Sequence, residues 1–284
     1  MSISKAVITA AGPDQHTLPL QTLVDRDGRA KTALELIVSE AVSAGVEDVC
    51  IVIHPSDADA YSEAAGEHAG RLHFVEQPEP RGYGDALCLA REFVGNQPFL
   101  HLVSDHLYLS ATDASCARQL VEMATAENCS VSAVQATREN MLPYFGTVSG
   151  QRIAGRSDLY EVNNVIEKPT PTQAEQELIV AGLRSGYYLC MFGMHVLTPT
   201  VMTILADVLA DAESGNETKA PLATALCELS RRERYLALQV RGTRYNMGMK
   251  YGLLRSQLAL ALSGQDREQI LTELVELLAT GREQ

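Results

Sequence analysis

The chain has 284 residues, of which 46% are hydrophobic and 21% are charged, and its formal net charge is −13. A chain of this length and composition can bury a full core, which indicates a folded protein rather than a disordered one. The acidic balance argues against nucleic acid as a partner, because binding to a polyanion requires clustered Lys and Arg. A nucleotide can still bind through a few local cations and backbone amides.

The N-terminus and the cysteines indicate the compartment. The first residues, MSISKAVITAAG, lead directly into a strand without a signal-peptide pattern, and no apolar run approaches the length of a membrane span. We therefore expect a soluble cytoplasmic protein with no membrane partner. The six cysteines are scattered singly, and most lie in apolar runs. This distribution favours buried reduced thiols over a metal site or a disulfide framework.

Strands alternate with helices in the N-terminal half. After a first strand that begins at Lys5, the predicted strands are Asp48 to Ile53, Leu72 to Val75, Pro98 to Asp105 and Ser130 to Ala136. The helices between them are predicted at Thr32 to Ala44, within Ala58 to Ala69, at Gly84 to Val94 and near Cys116 to Glu127. This alternation is typical of a sheet covered by helices on both faces. We therefore predict an α/β fold, a three-layer, doubly wound, mainly parallel and Rossmann-like sheet.

The pattern changes after Phe145. Short β segments are predicted at Gly146 to Ser149, Gln151 to Ala154 and Leu159 to Glu167, followed by a helix near Thr172 to Leu178, a strand at Gly186 to Leu197, helices after Pro199 and near Ala220 to Leu229, and a strand at Tyr235 to Val240. Two amphipathic helices, Tyr251 to Leu262 and Asp266 to Ala279, must pack on the sheet or on a second subunit. Because no repeat or linker is evident, we predict one domain over residues 1–284, with a β insertion at about 140–185 and C-terminal helices at about 250–280.

Several candidate ligand sites lie where predicted strands end. The small residues Ala10 to Gly12 let backbone N–H groups approach a ligand, although a plain turn fits them equally well. Asp105 ends a central strand, where a carboxylate can hold a divalent ion against a phosphate; a helix-capping Asp is the alternative. Glu167 and Lys168 place an acid and a cation together, or form a surface ion pair. The loop Gln77 to Ala86 has a glycine pair that can pass close to a base, although this pattern alone discriminates poorly.

A set of segments occurs in the order and spacing of a known family. They are KAVITAAG, the following Pro19, EQPEPRGYGDAL, LVSDH, YFGTV, VIEKP, FGMHVLTP and RYNMGMKYGLL. From Lys5 to about Leu260, the chain resembles the bacterial sugar-1-phosphate nucleotidyltransferases, and among them most of all the branch that uses UTP and glucose 1-phosphate. The resemblance implies the nucleotide-diphospho-sugar transferase type of the predicted fold.

The resemblance implies a reaction between a nucleoside triphosphate and a sugar 1-phosphate, which gives a nucleotide sugar and pyrophosphate. The sugar-phosphate oxygen attacks the α-phosphorus in line, and positioning and charge neutralisation do most of the chemistry, with Mg²⁺ as the cofactor. UTP and glucose 1-phosphate are favoured, although the base-reading loop is also close to that of thymidylyl enzymes. Independently of the resemblance, the apolar C-terminal helices favour a homo-oligomer, either a dimer or a tetramer.

The resemblance also implies roles for individual residues. Nucleotide binding is expected at Ala10, Ala11, Gly12, Gln77 and Gly82, the last two of which would read the base. The sugar-phosphate site, in the β insertion, would comprise Gly146, Glu167 and Lys168. The metal ligands would be Asp105 and Asn246, and the catalytic residues would be His16, Asp105, Lys168 and Lys250.

The chain departs from the family at several of these positions. His16 stands where the family has an arginine for the β- and γ-phosphates, Asp14 adds a negative charge there, and Leu20 to Thr22 supply no lysine where the family has one. Asn246 replaces the second metal-binding Asp, and an amide lacks the charge that holds Mg²⁺ firmly. Lys31 is the candidate to replace the missing lysine. The alternative function is therefore a catalytically impaired homologue that binds sugar nucleotides or has a regulatory role.

Overall fold

A computed structural model of the chain describes residues 1–13, 16–79, 81–214 and 221–280. Its strands are β1 (Lys5–Thr9), β2 (Thr22–Val24), β3 (Ala30–Thr32), β4 (Asp48–Ile53), β5 (Leu72–Glu76), β6 (Phe99–Val103), β7 (His106–Ser110), β8 (Ser130–Arg138), β9 (Thr147–Arg152), β10 (Leu159–Ile166), β11 (Tyr187–Leu197), β12 (Tyr235–Gln239) and β13 (Gly242–Asn246). Its helices are α1 (Ala33–Ser43), α2 (Ala58–Ala64), α3 (Tyr83–Leu89), α4 (Arg91–Val94), α5 (Cys116–Glu127), α6 (Pro171–Glu177), α7 (Thr200–Ser214), α8 (Leu222–Arg232), α9 (Gly252–Ser263) and α10 (Arg267–Thr280).

The main sheet is mixed. Within the described ranges, nine strands follow the order β5-β4-β1-β6-β11-β8-β12-β10-β9. β5, β4, β1 and β6 run parallel, as do β8 and β12. β11 is antiparallel to β6 and β8, and β10 is antiparallel to β12 and β9. The prediction of a mainly parallel sheet is therefore right for the N-terminal strands and incomplete for the later ones, because an apolar run indicates burial but not strand direction.

Helices cover both faces of the sheet, which gives the predicted three layers. Alternate residues of a strand point to opposite faces, and β1 illustrates the consequence. Ile8 belongs to the same buried cluster as Leu34 of α1, whereas Val7 belongs to the cluster that contains Leu87 of α3 and Leu226 of α8. The apolar run of β1 is thus buried from both sides, as a central strand requires.

Some predicted elements differ from the observed ones in ways that shape the site. β7 and β13 were not predicted; they form a separate antiparallel pair beside the turn that follows β6. The predicted helix from Gly84 to Val94 is divided at Ala90 into α3 and α4. The two predicted segments after Phe145 form the single strand β9, because Gly150 has no Cβ and so leaves room for the backbone of Glu161.

The β insertion is not a separate sheet, since β9 and β10 extend the main one. That the chain forms one domain stays a prediction. The C-terminal helices differ from each other: α9 buries Gly252, Ser256 and Leu260, whereas α10 buries none of its described residues. Each cysteine is free, as expected, and four of the six are buried. None of the helices in the described part of the chain is long and apolar enough to cross a bilayer.

Candidate active site

The turn between β6 and β7 brings the two predicted metal ligands together. Asp105 lies in this turn, and its carbonyl oxygen accepts a hydrogen bond of 2.7 Å from the N–H of Met247. In the pairing of β7 with β13, Asn246 lies opposite His106, the residue after Asp105. The Oδ1 atom of Asn246 accepts from the N–H of Gly248 at 2.8 Å, which fixes the amide in place. Two residues far apart in sequence thus meet at the end of β6.

Asp105 is buried and held as a carboxylate. Its exposed fraction is 8%, and its Oδ1 lies 2.6 Å from Nδ1 of His106. Burial alone would raise the pKa of Asp105, but the charge and hydrogen bond of His106, with a contribution from Lys168, bring this pKa below its ordinary value. The carboxylate is therefore ionised at neutral pH. His106 was not among the predicted site residues, although its position next to Asp105 could have indicated a role.

The predicted sugar-phosphate residues also lie together. Gly146 immediately precedes β9, and a Cβ at this position would lie 3.0 Å from Oε2 of Glu167 and 3.4 Å from Cγ of Met191. Burial raises the pKa of Glu167, and the charge of Lys168 opposes this effect. Lys168 therefore acts on both Glu167 and Asp105. Its φ of 45° is in the left-handed region, which is uncommon for a residue other than Gly.

A small cavity of about 110 Å³ lies at these residues. Glu167, Gly146 and His106 form part of its wall, together with Tyr83 and Phe145. The Tyr83 hydroxyl lies 2.6 Å from Nε2 of His101, which holds its ring in place. The cavity therefore combines a carboxylate with aromatic walls, an arrangement that suits a small polyhydroxylated ligand.

The end of β1 forms the predicted nucleotide loop. Ala10 and Ala11 are buried, whereas Gly12 is exposed. The N–H of Ala10 donates to the carbonyl of Val52 at 2.7 Å, and the carbonyl of Gly12 accepts from the N–H of His16 at 2.9 Å. The amide of Ala10 is thus used within the sheet, so that among the described residues Ala10 to Gly12 the backbone donors left for a ligand are those of Ala11 and Gly12.

The predicted base-reading residues contact each other. The Gln77 amide donates from Nε2 to Oδ2 of Asp85 at 2.7 Å and to the carbonyl of Gly82 at 3.3 Å. Gly82 has a φ of 108°, a conformation that favours glycine. Since both hydrogens of the Gln77 amide are used within the loop, its oxygen is the atom that can accept a hydrogen bond from a base.

His16 and Lys31, which were expected near the triphosphate, have partners of their own. His16 places Nδ1 2.8 Å from Oδ2 of Asp57, a residue that the sequence analysis did not assign to the site. Lys31 lies 3.0 Å from Oε1 of Glu35, and the hydrogen bond to Glu35 raises the pKa of Lys31 against the opposing effect of burial. The ammonium group of Lys31 is thus paired with a carboxylate, and nothing in the structure supports its replacing the missing lysine.

Lys250 is exposed, with Nζ 5.3 Å from the centre of the Tyr251 ring. Its place near the phosphates stays a prediction. Asp14, which the sequence analysis placed near the same phosphates, lies outside the described residues.

Comparison with known proteins identifies the family. A sequence model of the family described as nucleotidyl transferase matches residues 27–243, which is most of the chain. The protein therefore belongs to the nucleotidyl transferase family, and the resemblance inferred from the ordered motifs is confirmed.

Similar proteins carry more specific names. The chain is 29% identical to a UTP–glucose-1-phosphate uridylyltransferase of Streptococcus pneumoniae and 28% identical to one of Bacillus subtilis, over 97% of this chain and 96% of each relative. A UTP-bound UDP-glucose pyrophosphorylase of Acinetobacter baumannii has the same fold, with a TM-score of 0.73, 21% identity, and coverage of 96% of this chain and 99% of the other. A UDP-glucose pyrophosphorylase complexed with UDP-glucose gives a TM-score of 0.72 at 22% identity, over 91% of this chain and 98% of the other.

Proposed function

We propose that this protein transfers a uridylyl group from UTP to glucose 1-phosphate, which yields UDP-glucose and pyrophosphate. The observation that carries the proposal is the grouping of Asp105, Glu167 and Lys168 at the ends of β6 and β10, where Lys168 acts on both carboxylates and Glu167 lines a cavity. The choice of UTP and glucose 1-phosphate is supported by the names of the relatives. Those relatives favour an active enzyme over the impaired alternative.

The reaction needs two substrates held in line. A phosphate oxygen of the sugar 1-phosphate attacks the α-phosphorus of UTP, and the bond from this phosphorus to the oxygen that bridges to the β-phosphate breaks, so that pyrophosphate leaves. Glu167 accepts hydrogen bonds from sugar hydroxyls, and Lys168 neutralises the sugar phosphate. The Gln77 oxygen accepts from the uracil N–H, and the backbone of Ala11 and Gly12 contacts the triphosphate. His16 and Lys250 would contact the leaving phosphates.

The residues at the end of β6 fit a Mg²⁺ ion of the kind that nucleotide enzymes use. The ionised carboxylate of Asp105 and the amide oxygen of Asn246 are hard oxygen ligands, and each oxygen has more than one lone pair. No group of three or more His, Cys, Asp and Glu side chains within the described ranges could hold a metal by itself. Such a site suits Mg²⁺, which keeps several waters and takes other ligands from substrate phosphates. When bound, the ion would stabilise the charge that develops on the phosphates.

The proposal is tested by pyrophosphate release in the presence of Mg²⁺. UTP, dTTP, CTP, GTP and ATP are each paired with a panel of hexose 1-phosphates, and the highest kcat/KM is expected for UTP with glucose 1-phosphate. Release with a different pair would change the substrates but keep the class of reaction. No release with any pair, from a folded protein that still binds UDP-glucose by calorimetry, would contradict the proposal and establish the impaired binding protein.

We also propose that the protein forms a dimer or a tetramer. In α10, Val275, Leu277 and Leu278 are 64%, 68% and 72% exposed, and burial of such a surface by a second copy would stabilise a dimer or a tetramer. Light scattering of the wild type and of Leu278→Glu tests this, with a smaller particle expected for the variant. A monomeric wild type at the concentrations used for activity would contradict it.

We place the protein in the cytoplasm, where its proposed substrates occur.

A further inference from the structure

A second cavity adjoins the one that contains Glu167. Its volume is about 350 Å³, and Phe145 lines both cavities. It lies between the end of β8, β13 and the start of α9. Among its described lining residues are the arginines Arg138, Arg244 and Arg255, and none is Asp or Glu, although the chain has a formal net charge of −13. This cavity, which we call the Arg244 cavity, is thus a local region of positive charge in an acidic protein.

Arg244 is the buried member of this group. It is 7% exposed, and its Nη2 donates to Oγ1 of Thr137 at 3.3 Å. Its Cζ lies 3.8 Å from the centre of the Phe145 ring. Nε and Nη1 have no hydrogen-bond partner among the described residues. A buried guanidinium that lacks a counter-charge is costly, and an anion that enters the cavity would reduce this cost.

The remaining lining groups match a phosphate ester. Arg138 and Arg255 are exposed, and Arg138 is oriented by a hydrogen bond of 2.9 Å from its Nε to the hydroxyl of Tyr187, which also lines the cavity. Planar guanidinium groups bind phosphate through paired hydrogen bonds. The amide of Gln135 and the ring of Tyr245, also in the wall, can contact the uncharged part of a ligand.

We propose that the Arg244 cavity binds the phosphate group of a small phosphorylated metabolite, and that it does so separately from the site at Glu167. Arg244 and Arg255 contact the phosphate, and the polar and aromatic wall contacts the rest of the molecule. Because Phe145 lines both cavities and Asn246 lines the Arg244 cavity, occupancy of one would alter the other. The cavity therefore provides a way for a metabolite to regulate the protein.

The binding test needs no enzymatic activity, so its outcome is independent of the proposed reaction. Calorimetric titrations with inorganic phosphate, glucose 6-phosphate and uridine 5′-monophosphate are made at low ionic strength in a phosphate-free buffer. Arg255→Glu is the main variant, since this exposed residue can change without loss of the fold. Arg91→Glu is the matched control. Arg91 is also exposed, it lies on α4 and not in the wall of the Arg244 cavity, and its substitution changes the net charge by the same amount. Lys168→Ala reports on the site at Glu167, because the charge of Lys168 acts on that carboxylate.

At least one phosphate compound is expected to bind the wild type, and Arg255→Glu should weaken its binding at least about tenfold, which corresponds to about 1.4 kcal/mol. Arg244→Lys keeps the charge but loses the planar geometry, and should weaken the same binding less. Arg91→Glu and Lys168→Ala should retain the wild-type affinity. The compound that binds most tightly distinguishes free phosphate from a sugar phosphate or a nucleotide. The proposal is overturned if no compound binds, if Arg255→Glu behaves like Arg91→Glu, or if Lys168→Ala removes the binding.

Discussion

The two halves of the proposed active site differ in how their charges are partnered. On the sugar-phosphate side, Lys168 acts on both the buried carboxylate of Asp105 and the carboxylate of Glu167. On the triphosphate side, His16 contacts Asp57 and Lys31 contacts Glu35, so that each of these side chains already has its own carboxylate. Phosphates that bind on this side must compete with those carboxylates. The two carboxylates of the sugar-phosphate side thus share one lysine, whereas His16 and Lys31 on the triphosphate side each have a separate acidic partner.

The largest effect is expected from Asp105→Ala, which removes the charged ligand of the proposed metal site. We expect kcat/KM for pyrophosphate release to fall at least about a thousandfold, or about 4 kcal/mol of transition-state stabilisation. Asp113→Ala, at an exposed Asp in the loop after β7, is the control and should be close to wild type. Circular dichroism verifies the fold of both variants. If Asp105→Ala keeps more than a tenth of the activity, the assignment of Asp105 is wrong.

Gly146→Ala tests the proposed contact between Glu167 and the sugar, because it places a side-chain atom next to the Glu167 carboxylate. The new Cβ would lie 3.0 Å from Oε2 of Glu167, so the carboxylate must move away from its sugar contacts. We expect the KM for the sugar 1-phosphate to rise about tenfold with little change in kcat, as for the loss of a ground-state contact. Gly70→Ala is the matched control, since a Cβ there meets nothing within 4 Å. An unchanged KM would show that Glu167 does not contact the sugar.

The triphosphate side is tested by restoring the family residues. His16→Arg combined with Asn246→Asp adds a bidentate cation and a charged metal ligand, and we expect kcat/KM to rise about three- to tenfold, on the scale of one charge-assisted contact. The concentration of Mg²⁺ at half-maximal activity should fall as well. Each single variant serves as a control for the pair. A loss of activity in the double variant would mean that the site has adapted to His16 and Asn246.

The smallest effect concerns pH and Glu167. Because burial raises the pKa of Glu167, its carboxylate takes up a proton at a higher pH than an ordinary glutamate does. Protonation removes an acceptor for the sugar hydroxyls, so the KM for the sugar 1-phosphate should rise as the pH falls, by about threefold. Initial rates from pH 8 down to the lowest pH at which the protein stays folded measure this dependence. Glu167→Gln should have a raised KM that no longer varies with pH, and a variant with the wild-type profile would exclude Glu167 as the titrating group.

The sequence predicted the main elements because their apolar patterns are strong. The helix predicted near Cys116 to Glu127 agrees with α5 at both ends, and the strand predicted at Asp48 to Ile53 agrees with β4. The strand predicted at Gly186 to Leu197 corresponds to β11, which begins at Tyr187. Strand direction was not predictable, since it depends on long-range pairing. β7 was missed because its residues follow Asp105 without a turn signal such as Gly or Pro.

The site residues were predicted from their match to family motifs, which do not give the distances between side chains. The motif assigned Asp105 and Asn246 to one metal ion, which stays a prediction; the pairing of β7 with β13 places Asn246 opposite His106, the residue after Asp105. It could not reveal the partners of His16 and Lys31, because Asp57 and Glu35 belong to no motif in the set. The Arg244 cavity was also missed. Its arginines come from three separate segments, and only the tertiary structure brings them together.

The position of β11 in the sheet has a consequence for the order in which the chain folds during synthesis. β6 is complete at Val103, but the strand that pairs with its free side is made only when the ribosome reaches Leu197. The nascent chain can form β5, β4, β1 and β6 with their helices well before that point, and the edge of β6 then stays open. An open edge can pair with another chain. Slow synthesis between these residues would therefore favour aggregation of nascent chains, whereas rapid completion of β11 would close the edge.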